Sequence, residues 1–515
     1  MVGTYRPEPL TAFDESSNRA AMEAALSDVR AQLGRAYPLI IDGERVTTSN
    51  TLISTNPGRP EEIVGRVSKA SRSHIDAALE AADRAFKQFR RLTAEERARY
   101  LYRAAATMRR RKLELAAWEV YEAGKTWAEA DADVAEAIDF LEYYARQAER
   151  LARPVDVVPL PGEDDQAFYI PLGVGAIIPP WNFPLAILTG MTSGAVVAGN
   201  AVVLKPASPT PVIAAKFMEI MEEAGIPPGV INFVPGDGGE IGDHLVGHRL
   251  TRFISFTGSR EVGLHINRLA ADTQADGRWI KRVVAEMGGK DAIVVDETAD
   301  LEAAARGIVV SAFGYQGQKC SACSRAIIVD SVYDQVTRRV VELTRDLKIG
   351  EADNPANNLG PVIEERAFEK IMDYIGWGKA HARLLAGGER ALEPGYFIAP
   401  TVFGDVEPGS RLEQEEIFGP VLSIIRARDF DHAIEIANDT DYGLTGSVYT
   451  SRRDRIEHAR REFEVGNLYI NRKCTGAVVG AHPFGGFNMS GTDSKTGSPD
   501  YLLLFMQMKA VAEQL

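Results

Sequence analysis

Cysteine is scarce, positive charge is outnumbered, and no apolar run is long enough to cross a membrane. The 515 residues include only three cysteines, and two of them, Cys320 and Cys323, fall within one turn. A disulfide framework is thereby excluded, and a reducing compartment is expected. Lys and Arg number 58 against 72 Asp and Glu, a net charge of −14. A chain of that sign repels backbone phosphates, which argues against a nucleic-acid binder. The most apolar stretch, Leu185–Leu204, is interrupted by Gly190, Ser193, Gly194, Gly199 and Asn200. It reads as a helix followed by a buried strand and not as a membrane span. Met1-Val2-Gly3-Thr4-Tyr5-Arg6-Pro7 lacks the apolar core of a signal peptide. Internal repeats and low-complexity tracts are missing too. What remains is an ordinary globular composition, 45% hydrophobic and 25% charged, in a chain too long for one core. Two or three domains and a cytoplasmic, enzyme-sized protein are expected.

Residues 17–34 read as a helix, followed by a strand over Tyr37–Ile41 and a turn at Asp42-Gly43. Ile75, Leu79, Ala82, Phe86 and Phe89 recur at helical spacing, with Ser73 placed to cap that helix. Residues 94–150 form a long helical region broken at Gly124, and Arg109-Arg110-Arg111-Lys112 read as a solvated face. Val155–Leu160 and Gln166–Pro171, joined by Pro161-Gly162-Glu163-Asp164, read as a hairpin. From Gly173 short apolar strands alternate with helices: Gly175–Pro179, Ala201–Leu204, Val230–Val234 and Arg252–Phe256. A second such series follows Asp291, with strands near Ala326–Val329, Val421–Ile425 and Gly446–Tyr449. This alternation predicts an α/β fold with parallel sheets and nucleotide-binding potential.

Cys320 sits in Gly314-Tyr315-Gln316-Gly317-Gln318-Lys319-Cys320-Ser321, a Gly-rich turn between two apolar segments. A free thiol has a pKa of about 8.5, so a nucleophilic cysteine needs donors or positive charge nearby. A buried packing cysteine and a metal or redox pair with Cys323 are the alternatives. The metal reading lacks further ligands of suitable spacing. Pro179-Pro180-Trp181-Asn182-Phe183-Pro184 holds an amide at a strand end, suited to an oxyanion or to a structural turn. Lys205 ends the next strand, where a parallel sheet binds ligands. Phe256-Thr257-Gly258-Ser259-Arg260-Glu261-Val262-Gly263 joins a strand to a helix, and the free N–H groups and the Ser hydroxyl at that helix start suit an anion such as pyrophosphate. The loop lacks the G-x-G-x-x-G fingerprint, and Gly236, Gly238, Gly239 and Gly242 have the wrong spacing for it. Glu286 stands beside Gly288 and Gly289, just before a strand.

In this order, with Glu415-Glu416-Ile417-Phe418-Gly419-Pro420 and Pro483-Phe484-Gly485-Gly486, the motifs resemble the aldehyde dehydrogenase superfamily from about residue 40 to the C-terminus. The resemblance implies a Rossmann-like NAD-binding domain over 41–154 and 172–285, after a helical extension over 1–40. It implies an α/β catalytic domain over 286–480 and a β oligomerisation element over 155–171 and 481–515, with its C-terminal strand near Leu502–Lys509. A homodimer or a higher assembly of dimers is the expectation. It implies Cys320 as nucleophile, Glu286 as general base, and Asn182 with the Cys320 N–H as oxyanion donors. Lys205 and Glu416 are expected on the riboses and Ser259 on the pyrophosphate. Phe418 is expected near the nicotinamide, with Ser208, Gly236, Thr257, Gly258 and Gly263 completing the cofactor set. NAD-selective relatives often carry Glu where this chain has Ser208, so NADP is expected to be tolerated beside NAD. No metal is implied.

Tyr469-Ile470-Asn471-Arg472-Lys473-Cys474-Thr475-Gly476-Ala477-Val478-Val479-Gly480, with Ser490-Gly491-Thr492 and Phe168–Gly173, is similar to the branch that oxidises glutamate γ-semialdehyde to glutamate. Cys474 departs from the small or β-branched residue usual there and reads as a packing substitution. In that branch Ser321, Gly476 and Ala477 would hold the substrate carboxylate, Glu136 the ammonium, and Phe183 and Phe484 the methylenes. Relatives often fuse this activity to a proline dehydrogenase; 515 residues leave no room for it, and a chain with one activity is expected. An enzyme for succinate or aminoadipate semialdehyde would need a different loop at 473–480. A non-catalytic structural relative would be free to lose Cys320, Glu286 or Asn182.

Overall fold

The computed structural model describes residues 4–272 and 277–515; the first three residues of the N-terminal segment read above lie outside them. Two seven-stranded sheets organise the chain. In the first, Arg282–Glu286, Phe253–Thr257, Val174–Ile178, Ala201–Leu204 and Ile231–Phe233 lie side by side and parallel. The hairpin of Leu39–Ile41 and Glu44–Val46 closes its far edge antiparallel. Strands such as Ala201–Leu204 are buried on both faces, which is why they read as unbroken apolar runs. The chain builds outward from Val174–Ile178 in one direction, then returns to add Phe253–Thr257 on the other side. Between those two strands the order reverses, and a crevice opens beyond their carboxyl ends.

The second sheet runs Arg383–Ala386, Thr401–Gly404, Val421–Ala427, Arg325–Val329, Ala292–Val295, Thr445–Tyr449 and Asn467–Ile470. All its pairings are parallel except that of Arg383–Ala386 with Thr401–Gly404. A buried ion pair pins it: Arg325 reaches Glu413 at 2.6 Å, and its remaining donors meet the carbonyls of Lys290, Ile436 and Ala437. Every guanidinium nitrogen therefore has a partner, the condition under which a buried charge is tolerated.

Several local expectations are corrected. Pro38, lacking an N–H, divides the expected Tyr37–Ile41 strand: Arg35–Tyr37 joins a small three-stranded sheet and Leu39–Ile41 the first large one. The helix over Arg72–Phe89 is capped by Ser71, not Ser73, and His74 Nδ1 accepts the Ser71 N–H at 3.0 Å. The 94–150 region breaks at Arg111 as well as at Gly124, whose φ of 64° ends the helix Lys112–Ala123. The basic run there is ion-paired: Arg109 to Glu8 and Glu142, Arg110 to Glu223, Arg111 to Glu114 and Glu219, Lys112 to Asp131. The 155–171 hairpin does not form. Val155 makes one bridge to Ala167, and Glu163–Pro171 pairs instead with Met506–Gln514, so the C-terminal strand starts at Met506 and Tyr501–Phe505 is a 3-10 turn.

Candidate active site

Consecutive parallel strands of the first sheet deliver the motif residues to one edge. Asn182 follows Ile178, Lys205 follows Leu204, Gly236 follows Phe233, Gly258 and Ser259 follow Thr257, and Glu286 ends its own strand. Beyond that edge lies a cleft of ≈ 900 Å3, closed on its other side by Ile363–Ile371 and Glu416–Phe418. Asn182, Lys205, Thr257, Gly258, Ser259, Cys320, Glu416 and Phe418 all line it. Ser208, Gly236, Gly263 and Glu286 are not among its walls. Ser208 stands one residue beyond the lining Ala207, half-buried. A Cβ on Gly236 would stand 2.6 Å from Ile241, and one on Gly263 would press on the Met287 side chain.

The cleft fits a dinucleotide. Lys205 is buried, donates to Pro206 O and has no carboxylate partner among the described residues; burial pushes its ammonium down to about 8. Such a cation suits hydroxyl groups. Ser259 caps the helix Arg260–Ala271, leaving N–H groups of its first turn at the cleft wall. Glu416 accepts the Gly289 N–H at 3.0 Å, and a Cβ on Gly288 would collide with its carboxylate. Phe418 adopts φ 61° and meets Trp181 edge-on, ring centroids 5.4 Å apart. Sequence reasoning missed Lys69, which is paired with Asp237 and Glu240 near the Lys205 end, and Arg366 and Lys370 on the opposite wall. No motif marks them, because they come from outside the first large sheet.

Cys320 stands at the inner end of this cleft, on a turn fixed from several directions. Tyr315 and Gln316 both take positive φ, 50° and 55°. Tyr315 Oη donates to Ala123 O, Gln316 Nε2 to Gly124 O and Pro361 O, and Gln318 Oε1 accepts the Ile363 N–H. Asn182 Nδ2 donates to Gln318 O at 3.0 Å, and its second hydrogen has no acceptor among the described residues. Among the described residues no acceptor takes the Cys320 N–H. Burial first, then the charges of Glu286, Asp291 and Glu416, hold the Cys320 thiol well above the usual thiol range. Glu286 turns away from the cleft: its Oε1 accepts the Gly486 N–H at 3.3 Å, and its Oε2 makes no close hydrogen bond among the described residues. Burial holds this carboxyl well above the usual range, opposed by the Gly486 N–H and Lys495. Asp291, pushed up to about 8 by burial, accepts the Thr445 N–H behind the turn.

On the other side of Cys320 lie the residues read as substrate contacts. Ser321 is buried, and its carbonyl accepts the Cys474 thiol at 3.4 Å, which ties the 471–480 loop to the nucleophile's turn. Gly476 is exposed at φ 76° and Ala477 half-buried. Phe484 forms a two-way backbone bridge with Thr496. Glu136, on the helix Trp127–Leu151, is pushed up to about 8, by burial and then Asp133. Lys125, missed in the sequence, is buried between Glu119 and Asp133, with Nζ 4.6 Å from the Phe183 ring centroid and 5.0 Å from that of Tyr315. Lys319 is held by both carboxylate oxygens of Glu129.

Residues 45–511 match the model of the aldehyde dehydrogenase family. The 1-pyrroline-5-carboxylate dehydrogenase of Geobacillus kaustophilus (strain HTA426) is 60% identical over 513 residues, 100% of both chains. A solved structure of 1-pyrroline-5-carboxylate dehydrogenase from Thermus with bound NAD is 55% identical, covers 100% of both chains and superposes with a TM-score of 0.99. Proline utilization A from Bdellovibrio bacteriovorus is 44% identical with a TM-score of 0.98, covering 99% of this chain and 53% of that one. No helix among the described residues is long and apolar enough to cross a membrane.

Proposed function

The chain belongs to the aldehyde dehydrogenase family, and from that membership we propose that it oxidises L-glutamate γ-semialdehyde, in equilibrium with Δ1-pyrroline-5-carboxylate, to L-glutamate with NAD, the second step of proline degradation. One observation carries the reading. The Cys320 thiol lines a dinucleotide-sized cleft, while its neighbour Ser321 is tied through Cys474 to a loop whose Gly476 and Ala477 N–H groups have no partner among the described residues.

Cys320 Sγ, as thiolate, attacks the aldehyde carbon. The second hydrogen of Asn182 Nδ2 and the Cys320 N–H donate to the resulting oxyanion, each worth about 3–4 kcal/mol in such a site. NAD, when bound, would supply the acceptor for the hydride that leaves the carbon. Lys205 and Glu416 would hold its riboses, Ser259 its pyrophosphate and Phe418 one face of its nicotinamide. Glu286 then draws a proton from the water that cleaves the thioester. Ser321, Gly476 and Ala477 hold the substrate carboxylate as a donor cluster, Phe183 and Phe484 flank the methylenes, and Glu136 faces the ammonium.

The domain boundaries read from the sequence remain part of this proposal, as does a homodimer. Exposed Met508 and Val511 on the C-terminal strand, and Val157, Val158 and Leu160 on the segment that leads into its partner Glu163–Pro171, support an oligomer contact there. Three free thiols support a reducing, cytoplasmic setting.

NADH formation from a panel of aldehydes tests the substrate. Pyrroline-5-carboxylate is expected to give the highest kcat/KM. Ser321→Ala should lower that value by about tenfold or more, the worth of one donor to a bound carboxylate, and change propanal far less. Equal use of simple aliphatic aldehydes by the wild type would remove the narrow assignment. For the cofactor, Ser208→Glu should raise the KM for NADP more than that for NAD, since a carboxylate repels a 2′-phosphate. Equal effects would show that position 208 does not face the ribose.

A further inference from the structure

We infer that Arg472 is a positioning residue for the substrate-carboxylate subsite, setting the orientation of the two peptide units whose N–H groups receive the anion. The inference rests on the proposed semialdehyde reading. Arg472 Nη2 donates to Thr475 O and to Gly476 O, both at 3.0 Å. The Thr475 carbonyl and the Gly476 N–H belong to one peptide unit, and the Gly476 carbonyl and the Ala477 N–H to the next. In a planar trans peptide the N–H points opposite to the C=O. A single cation that gathers both carbonyls therefore turns both N–H groups the other way. Neither N–H has a hydrogen-bond partner among the described residues. Gly476 at φ 76° lets consecutive peptides turn in the same sense, the geometry of a backbone anion site. Hydrogen bonding at the carbonyl ends also polarises the two peptides and strengthens them as donors.

The guanidinium is itself fixed. It lies 4.4 Å from the Tyr469 ring centroid, on the edge strand Asn467–Ile470. The Arg472 carbonyl accepts Ser447 Oγ at 2.5 Å, and Asn471, at φ 53°, exchanges hydrogen bonds with the Thr450 N–H and carbonyl through its amide. The loop thus leaves the sheet in one orientation, and Cys474 joins it to Ser321 beside the nucleophile. Arg472 touches neither thiol nor cofactor cleft, so it acts through the loop.

The test uses Arg472→Met, which keeps an apolar stem over Tyr469 and removes the donors, and Arg472→Lys, which keeps one cation. Steady-state kinetics are measured with pyrroline-5-carboxylate and with propanal, and L-glutamate binding is measured as the displacement of a carboxylate probe without turnover. Arg472→Met should raise the KM for pyrroline-5-carboxylate and weaken L-glutamate, each by about tenfold, with kcat and propanal oxidation little changed. Arg472→Lys should fall between it and the wild type, and it carries the test if the Met variant does not fold. An unchanged KM and L-glutamate affinity, or an equal loss with propanal, overturns the inference while wild-type selectivity for pyrroline-5-carboxylate stands. A wild type without that selectivity, and without affinity for L-glutamate, overturns the functional reading and this inference together.

Discussion

Replacing Cys320 by alanine is expected to lower NADH formation by at least about 10^4-fold, the scale on which loss of a nucleophile is felt, while NAD still binds. No other thiol can stand in. Cys323, three residues on, is buried with its Sγ donating to Arg325 O at 3.4 Å, and Cys474 is buried with its Sγ on Ser321 O. Of the three, Cys320 alone lines the cleft. Cofactor binding should survive because Lys205, Ser259 and Glu416 are supported independently of the thiol, and Trp181 in the cleft wall offers a fluorescence readout. The structure also specifies the cost of activation. Burial and the carboxyls of Glu286, Asp291 and Glu416 disfavour the thiolate, so iodoacetamide should place one adduct on Cys320, faster as pH rises. Loss of activity in Cys323→Ala with retention in Cys320→Ala would end the assignment.

The parts of the fold that were legible are those in which local pattern and tertiary role coincide. Ala201–Leu204 is buried on both faces, so its apolar run announces a central parallel strand, and the motif residues follow because sheets of this kind present their carboxyl ends to ligands. The failures share a cause as well. Pro161-Gly162 does make a turn, but Pro154, Pro159 and Pro161 deprive the preceding segment of ladder donors. Glu163–Pro171 therefore finds its partner more than 300 residues on, at Met506–Gln514. Ser71 was hidden as a cap because its reciprocal partner is His74, where the usual signature has Glu or Gln. In the site, the charged supports join residues far apart in sequence: Lys319 with Glu129, Lys69 with Asp237, and Lys125 with the ring of Phe183. Only the fold brings such pairs together, and no spacing in the chain encodes them.

Substituting Glu286 by glutamine should slow thioester hydrolysis by about 10^2–10^4-fold, the range that a positioned general base contributes, and affect the earlier steps much less. The amide cannot accept a proton from water, but it preserves shape and can still take the Gly486 N–H that now reaches Oε1 at 3.3 Å. Rapid mixing should therefore show a burst of NADH close to one per active site, then a slow steady state. The structure adds a pH signature. Burial holds the Glu286 carboxyl well above the usual range, with Asp493 adding to the shift and Lys495, Ser494 and the Gly486 N–H opposing it. A base must be ionised to act, so the hydrolytic rate of the wild type should climb with pH through that raised value, and Glu286→Gln should lose the climb. Lys495→Met removes the opposing charge and should move the wild-type limb to higher pH without abolishing the burst. Its ammonium also bridges Gly466 O and Gly485 O, so thermal stability must be followed in parallel. A uniform loss in Glu286→Gln with no burst would place Glu286 in binding or in the first chemical step and leave the thioester without its base.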